Sequence, residues 1–595
     1  MSLHTTLFIE LLESKLETKD DLKFDSFFML IEEYLNLEID LDNATKETIK
    51  LLQRAREDYL EDILFEIDNS PYLKYRNFYT DDLKVIKAML QNCNLDYEMI
   101  KIVFTTFHKK RTVNYFGNLN EMLEKNKRID FEDIFKLVDN LLQEIIYHNF
   151  SYEKIRVIIK HSDNKNKVCK EIQNIYDESK DKKYPLCLIN AEVPKELEDK
   201  EVLIVENIKL YKIFNEKWEF TNSQFAQLYK DSLEEYFLKK DNKSKYNFKG
   251  SLYIFETYNL NGADYQTRIR KAVRSLEVNL KGLMSRTGQR KKNIIHNTAF
   301  TFLEDSPTNY KRLNVSIGSS KYVSIHKNRS INDIEEFYKH YVISYYQENN
   351  NYTSFRTIYN LLDLIKNASE MTLENKLVIL WSCIEKICVD LNMRSIINKV
   401  VTITSKSHLM YILKRDLNEI WQELVQYGYN EKIASLKNVG ISQSGEINKY
   451  NPELLLTAIK EMKEAEKKVI IDENIILAAK IYVFQENVKD NQSIKEYLLK
   501  EKLLVQQNIR RIYRHRNILT HTHNQESFNL QYFTDLLEKY LNGLLSTIIH
   551  YTLRNPNVTI KDIIYSIDKT YDYYESEIIS SNDYKKILKP HYLLL

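Results

Sequence analysis

The stretch Thr372-Leu373-Glu374-Asn375-Lys376-Leu377-Val378-Ile379-Leu380-Trp381-Ser382-Cys383-Ile384-Glu385-Lys386-Ile387-Cys388-Val389-Asp390-Leu391 decides the fold class. Leu373, Leu377, Leu380, Trp381, Ile384, Ile387, Cys388 and Leu391 fall on one stripe when the chain turns by about 100° per residue. That is the pattern of a helix burying one face against others. The same periodicity recurs in Phe131-Ile134-Phe135-Leu137-Val138-Leu141-Leu142-Ile145-Ile146 and in Leu60-Ile63-Leu64-Ile67. Ten glycines and seven prolines in 595 residues leave few places for tight turns. The chain is therefore expected to be mainly α.

The pattern changes once. Leu186–Ile189, Val202–Val205, Leu210–Phe214, Leu252–Phe255, Ala299–Phe302 and Leu313–Ile317 are short β-type runs, with a helical stretch from Asp264 to Met284 among them. The expected organisation is a helical N-terminal domain over residues 1–183, a small mixed α/β domain over 184–330, and a helical domain over 331–595. The segment Asn438–Asn451 reads as a loop. One helix should run from Asn491 through Val505 into a basic cluster, and another from Asn529 to Tyr551.

A formal net charge of +1 provides no global field for a polyanion, so any nucleic acid must meet a local patch. The five cysteines contain no CxxC pair, which fits a reducing compartment, and Cys383 and Cys388 read as small core residues. The N-terminus lacks a basic segment followed by a long apolar one, and no window reaches 18 apolar residues. The expectation is a cytoplasmic protein with no membrane partner. The sequence carries neither GxxxxGK[ST] nor HExxH, so neither a metal nor a cofactor is expected.

The chemistry concentrates in Arg510-Arg511-Ile512-Tyr513-Arg514-His515-Arg516-Asn517-Ile518-Leu519-Thr520-His521-Thr522-His523. RNA brings its own nucleophile, the 2′-OH beside each phosphodiester. Cleavage needs a group to take that proton, a cation to hold the phosphate, and a proton for the leaving oxygen. A histidine with a pKa of about 6.5 transfers protons at neutral pH. An arginine fork stabilises charge that grows on phosphate oxygens. His521 and Arg516 are the candidates. Asn517 is placed four residues before His521, where it can orient the imidazole. Arg510, Arg514 and His523 are candidate RNA contacts.

One geometric difficulty follows. On a regular helix Arg516 and His521 point about 140° apart, whereas Arg510, Arg514, Asn517 and His521 share a stripe. Either the helix is irregular near Arg516, or the long Arg516 side chain wraps round, or Arg514 is the phosphate contact.

The run from Arg510 to His521, with Tyr513-x-x-Arg516-Asn517 inside it, resembles the signature of the HEPN superfamily, an Arg, four to six residues and then a His, often with a polar residue directly after the arginine; Arg514 with His521 and Arg516 with His523 fit that spacing too. Glu374–Ile387, with its Leu380-Trp381-x-x-Ile384-Glu385 core, is similar to an earlier helix of those domains. The likeness is greatest to the ApeA-like HEPN domains of bacterial anti-phage defence proteins and covers roughly residues 355–555. It implies a helical bundle that forms homodimers, with the motifs of two protomers meeting in one cleft. It further implies a metal-independent endoribonuclease acting in abortive infection, with RNA such as tRNA as substrate and a phage-derived trigger or regulatory partner. By this resemblance Arg516, Asn517 and His521 are the catalytic set, and Glu385 matches an auxiliary acidic position. A non-catalytic HEPN scaffold that binds nucleic acid is the competing expectation. Glu385 has a plainer reading as a surface carboxylate paired with a neighbour.

Overall fold

The computed structural model describes residues 3–18, 27–181 and 353–580, and between the last two the strands of one sheet together with Val273 and Leu276. Positions 36, 38–45, 76–77, 92–96, 127, 149, 151, 163–166, 369–370, 390–394, 441–449, 523–529 and 556 are outside that description.

The protein is mostly helical. The N-terminal elements are α1 (Leu3–Thr18), α2 (Phe27–Leu35), α3 (Lys46–Asp68), α4 (Pro71–Lys74), α5 (Thr80–Leu90), α6 (Tyr97–Lys125), α7 (Phe131–Tyr147), α8 (Tyr152–His161) and α9 (Val168–Asp181). The strands are β1 (Leu186–Ala191), β2 (Val202–Val205), β3 (Ile208–Phe214), β4 (Ser251–Glu256), β5 (Ile295–Leu303) and β6 (Ser306–Asn314). Further on come α10 (Thr353–Ala368), α11 (Leu373–Cys388), α12 (Ile396–Leu409), α13 (Ile412–Gln426), α14 (Tyr429–Lys432), α15 (Pro452–Lys460), α16 (Glu464–Glu473) and α17 (Ile475–Asn487). The last are α18 (Asn491–Thr522), α19 (Leu530–Arg554) and α20 (Ile560–Ser580). Among the described residues no helix is long and apolar enough to cross a membrane.

The chain divides into two compact units. One comprises 1–109, 126–140 and 320–595, and the other comprises 110–125 and 141–319. This partition differs from the expected cuts near 183 and 330. The physical reason lies in α2 and α3, whose carboxylates Glu33 and Asp62 are matched by cations of α18, as described below.

In the first unit, α11, α12, α18, α19 and α20 pack on one another around a continuous apolar core. Of the stripe read in α11, Leu377, Leu380, Trp381, Ile384, Ile387 and Cys388 are buried and Leu373 is half-buried, while Leu391 lies outside the described residues. Burying each such Leu or Ile contributes about 1.5–3 kcal/mol. Cys383 and Cys388 are buried as small core residues, and burial pushes the Cys388 thiol up to about 12. Gly428, at φ 71°, turns the chain out of α13 in a left-handed conformation that glycine takes without steric cost. Asn451 starts α15: its side-chain oxygen accepts from the N–H of Glu453 at 2.9 Å and of Leu454 at 3.3 Å, and Pro452 follows where no donor is needed. At the N-terminal end of the same unit, α2 packs on α3, and Phe28 lies within 5.3–5.8 Å of the rings of Tyr72, Tyr79 and Phe107.

The second unit contains α8 packed on α9 and the sheet. The sheet is antiparallel in every pairing, with strand order β2-β3-β4-β1-β5-β6. Five of the expected β runs fall inside β1 to β5. The sixth is displaced: the strand is Ser306–Asn314, whereas the run Leu313–Ile317 was read as the strand, and its last three residues are outside the described ones. Leu313 pairs with Ala299 and Tyr310 with Phe302. β6 ends the strand order and carries Pro307, Lys311 and Arg312, the residue types that edge strands tolerate. Of the expected helix Asp264–Met284, only Val273 and Leu276 are described, and both are helical.

Candidate functional site

The basic cluster sits on α18, which runs without a break from Asn491 to Thr522. Its start is set by Asp490, whose carboxylate accepts from the Ser493 N–H at 2.7 Å. Its apolar face buries Ile494, Leu498, Val505, Ile509 and Ile512. Beyond Ile509 the helix turns several cations inward as well.

Arg511 is held by Glu33 of α2. Its Nη2 donates to Oε1 at 2.9 Å and its Nε to Oε2 at 3.4 Å, while the guanidinium lies 5.1 Å from the centre of the Phe533 ring. Arg514 is held by α3. Its Nη2 donates to Asp62 Oδ2 at 2.6 Å, its Nη1 is 3.8 Å from Asp58 Oδ2, and its guanidinium stacks 4.0 Å from the centre of the Tyr59 ring. The side chains of this second pair are 4% and 7% exposed, so the charges are desolvated and depend on each other. The ring of His515 packs 4.3 Å from that of Phe533, and its Nε2 is 3.5 Å from Glu33 Oε2. Burial alone would raise the Glu33 carboxyl. The charges of Arg511 and His515 outweigh it and hold Glu33 well below the usual carboxylate range.

These placements sort the residues singled out by the sequence. Arg514, expected as an RNA contact, is interior, and a phosphate would have to displace Asp62 to reach it. Arg516 is half-buried. Its Nη1 donates to Asn517 Oδ1 at 3.0 Å, and its backbone carbonyl accepts from Thr520 Oγ1 at 2.7 Å. Asn517, expected to orient the His521 imidazole, thus has its oxygen turned to Arg516. Arg510 is half-buried on the same helix. His521 belongs to the last turn of α18, with its side chain outside the described residues, as is all of His523. Because α18 is continuous through Arg516, an irregular helix does not bring Arg516 and His521 to one face.

Glu385 has a definite partner. Its Oε1 accepts from the indole Nε1 of Trp381 at 2.6 Å, one turn back on α11. The Trp381 ring in turn lies 5.3 Å from that of Tyr513 on α18. Glu385 is thereby tied to a buried core residue beside the motif helix. Among the described residues its partner is this indole, where a neighbouring base was expected.

Sequence reading missed Glu33, Asp62 and Tyr59. A signal for them existed. Glu32 and Glu33 break the apolar sequence between Ile31 and Tyr34, and Asp62 stands between Tyr59 and Ile63 on the buried face of α3. A carboxylate on an apolar helix face needs a cation from elsewhere in the fold.

Comparison with known proteins returns no matching family model, no matching curated protein and no matching solved structure.

Proposed function

We propose that this chain is a metal-independent endoribonuclease of the HEPN type, acting as a homodimer. The observation that carries the reading is the division of labour on α18. Arg511, Arg514 and His515 are committed to Glu33 and Asp62, whereas Arg516 is half-exposed and joined to Asn517 on the final turns leading to His521. Arg516 then holds the scissile phosphate, Asn517 fixes its guanidinium, and His521 moves the proton of the attacking 2′-OH or of the leaving 5′-oxygen. The angular separation of Arg516 and His521 on one helix favours a site shared by two protomers, in which the arginine of one meets the histidine of the other.

The substrate is RNA, with tRNA the class expected, and the biological setting is abortive infection triggered by a phage-derived signal in the cytoplasm. Neither metal nor cofactor enters the reaction. The competing reading is a non-catalytic HEPN scaffold that binds nucleic acid without cutting it; the internal pairing of Arg511, Arg514 and His515 gives these three a structural role in either case. Incubating the purified protein with labelled RNA in EDTA separates the two. Products ending in a 2′,3′-cyclic phosphate support the nuclease, and retention of intact RNA supports the scaffold.

A further inference from the structure

We propose that Glu33 and Asp62 are positioning residues of this site: by gripping Arg511 and Arg514 they fix the rotation and axial position of α18, and so decide where Arg516 and His521 point. The inference rests on the nuclease reading for its functional half and on geometry for the rest.

The two anchors come from different helices, α2 and α3, and act on arginines three residues apart on the same helix. The apolar face of α18 seats the helix in the bundle, and the ion pairs add directional contacts at its motif end. Two pairs to separate helices oppose both rotation and sliding of that end. Both pairs have side chains that are largely removed from solvent, so each charge depends on its partner. The Glu33 contact engages two nitrogens of the guanidinium, and the Arg514 guanidinium is further backed by the Tyr59 ring, which restricts each to one orientation.

Arg516 follows Arg514 by about 3 Å of helix rise, and His521 lies about two turns on, close to the same angular position as Arg514. A turn of α18 about its axis at Arg514 is therefore transmitted to His521. Phosphoryl chemistry tolerates little of this, since a misplacement of about 1 Å can cost about 100-fold in rate. α2 and α3 thus take part in building the site through Glu33 and Asp62.

The test uses the full chain with Asp62→Asn and Glu33→Gln, each isosteric and uncharged, and Tyr59→Leu as a milder variant that keeps the apolar packing should either of the first two fail to fold. Metal-free RNA cleavage, RNA affinity and amide hydrogen exchange over 510–522 are measured on each folded variant. The expected result is a fall in kcat of about ten-fold or more for the charge variants, a smaller fall for Tyr59→Leu, RNA affinity within about two-fold of wild type, and faster exchange over 510–522. Faster exchange with unchanged kcat would reduce the clamp to a structural contact and overturn the proposal. A rise in kcat would overturn it in favour of a restraining role. If the wild-type chain cuts no RNA, the nuclease reading fails by itself and exchange decides the clamp: unchanged protection over 510–522 in all the variants sinks it, and lost protection sustains its geometric half.

Discussion

Asp62 and Arg514 stand 452 residues apart in sequence and meet at 2.6 Å in the fold, with both side chains nearly excluded from solvent. This contact, with its companion between Glu33 and Arg511, places the first helices of the chain and the motif helix in one compact unit.

A buried pair punishes removal of one partner more than removal of both. Arg514→Ala leaves the Asp62 carboxyl, which burial already raises, without its cation, and Asp62→Ala leaves Arg514 without its anion. Each is expected to cost about 3–5 kcal/mol. The double variant Asp62→Leu with Arg514→Met should recover most of that loss. Urea unfolding midpoints of the three proteins check this, and a double variant as unstable as the worse single one would show that the ion pair is not the source of the cost.

Glu33 gives the stability an acid limb. Its folded pKa is held below the unfolded value of about 4.3, so the unfolded chain binds more protons in that range and stability falls as pH drops through and below it. The contribution is complete above about pH 5. Glu33→Gln should lower stability at neutral pH and flatten its dependence between about pH 5 and 3. Melts across that range test the slope; an unaltered slope in the variant would remove Glu33 as its cause.

His408 acts in a higher window. Burial pushes its pKa well below the ordinary value, and the Arg415 charge adds to this, with Arg415 Nη1 only 2.8 Å from His408 Nε2. The unfolded ring takes a proton near pH 6.5 and the folded ring only at lower pH. Stability is therefore level above about 6.5 and declines as the pH falls below it. His408→Asn keeps a small polar group without the titration, so the decline between about pH 6.5 and 5 should shrink in its denaturation profile.

Glu385 and Trp381 offer a separation of structure from chemistry. Glu385→Ala removes the acceptor of a buried indole N–H and should cost about 1–3 kcal/mol. Trp381→Phe removes the donor and some packing volume while sparing the carboxylate. If Glu385 serves only to hold Trp381 against Tyr513, RNA cleavage by folded Glu385→Gln, whose amide oxygen still accepts, stays within about two-fold of wild type. A loss of cleavage without a loss of stability would instead give Glu385 a role at the scissile phosphate.

The parts of this molecule that were readable in sequence are those with local causes. The stripe of α11 is a periodicity within 16 residues, and the helix from Asn491 follows from apolar spacing that continues into the cations. β6 was misplaced because its position depends on pairing with β5, and the polar segment Ser306-Pro307-Thr308-Asn309-Tyr310 has no apolar run of its own. At the site, the choice between Arg514 and Arg516 rested on what covers each of them. Nothing near Arg514 in sequence reveals Asp62 and Tyr59. The buried acids of α2 and α3 announced that cations were required, and their partners were set by tertiary packing alone.

The central claim meets its most direct test in single-turnover cleavage of RNA in EDTA by wild type, Arg516→Ala and His521→Ala, each shown to be folded and in the same oligomeric state. The account predicts metal-free cutting by wild type and a fall of at least about 100-fold in each variant. Cleavage by His521→Ala at the wild-type rate, or no cleavage by wild type, would contradict it.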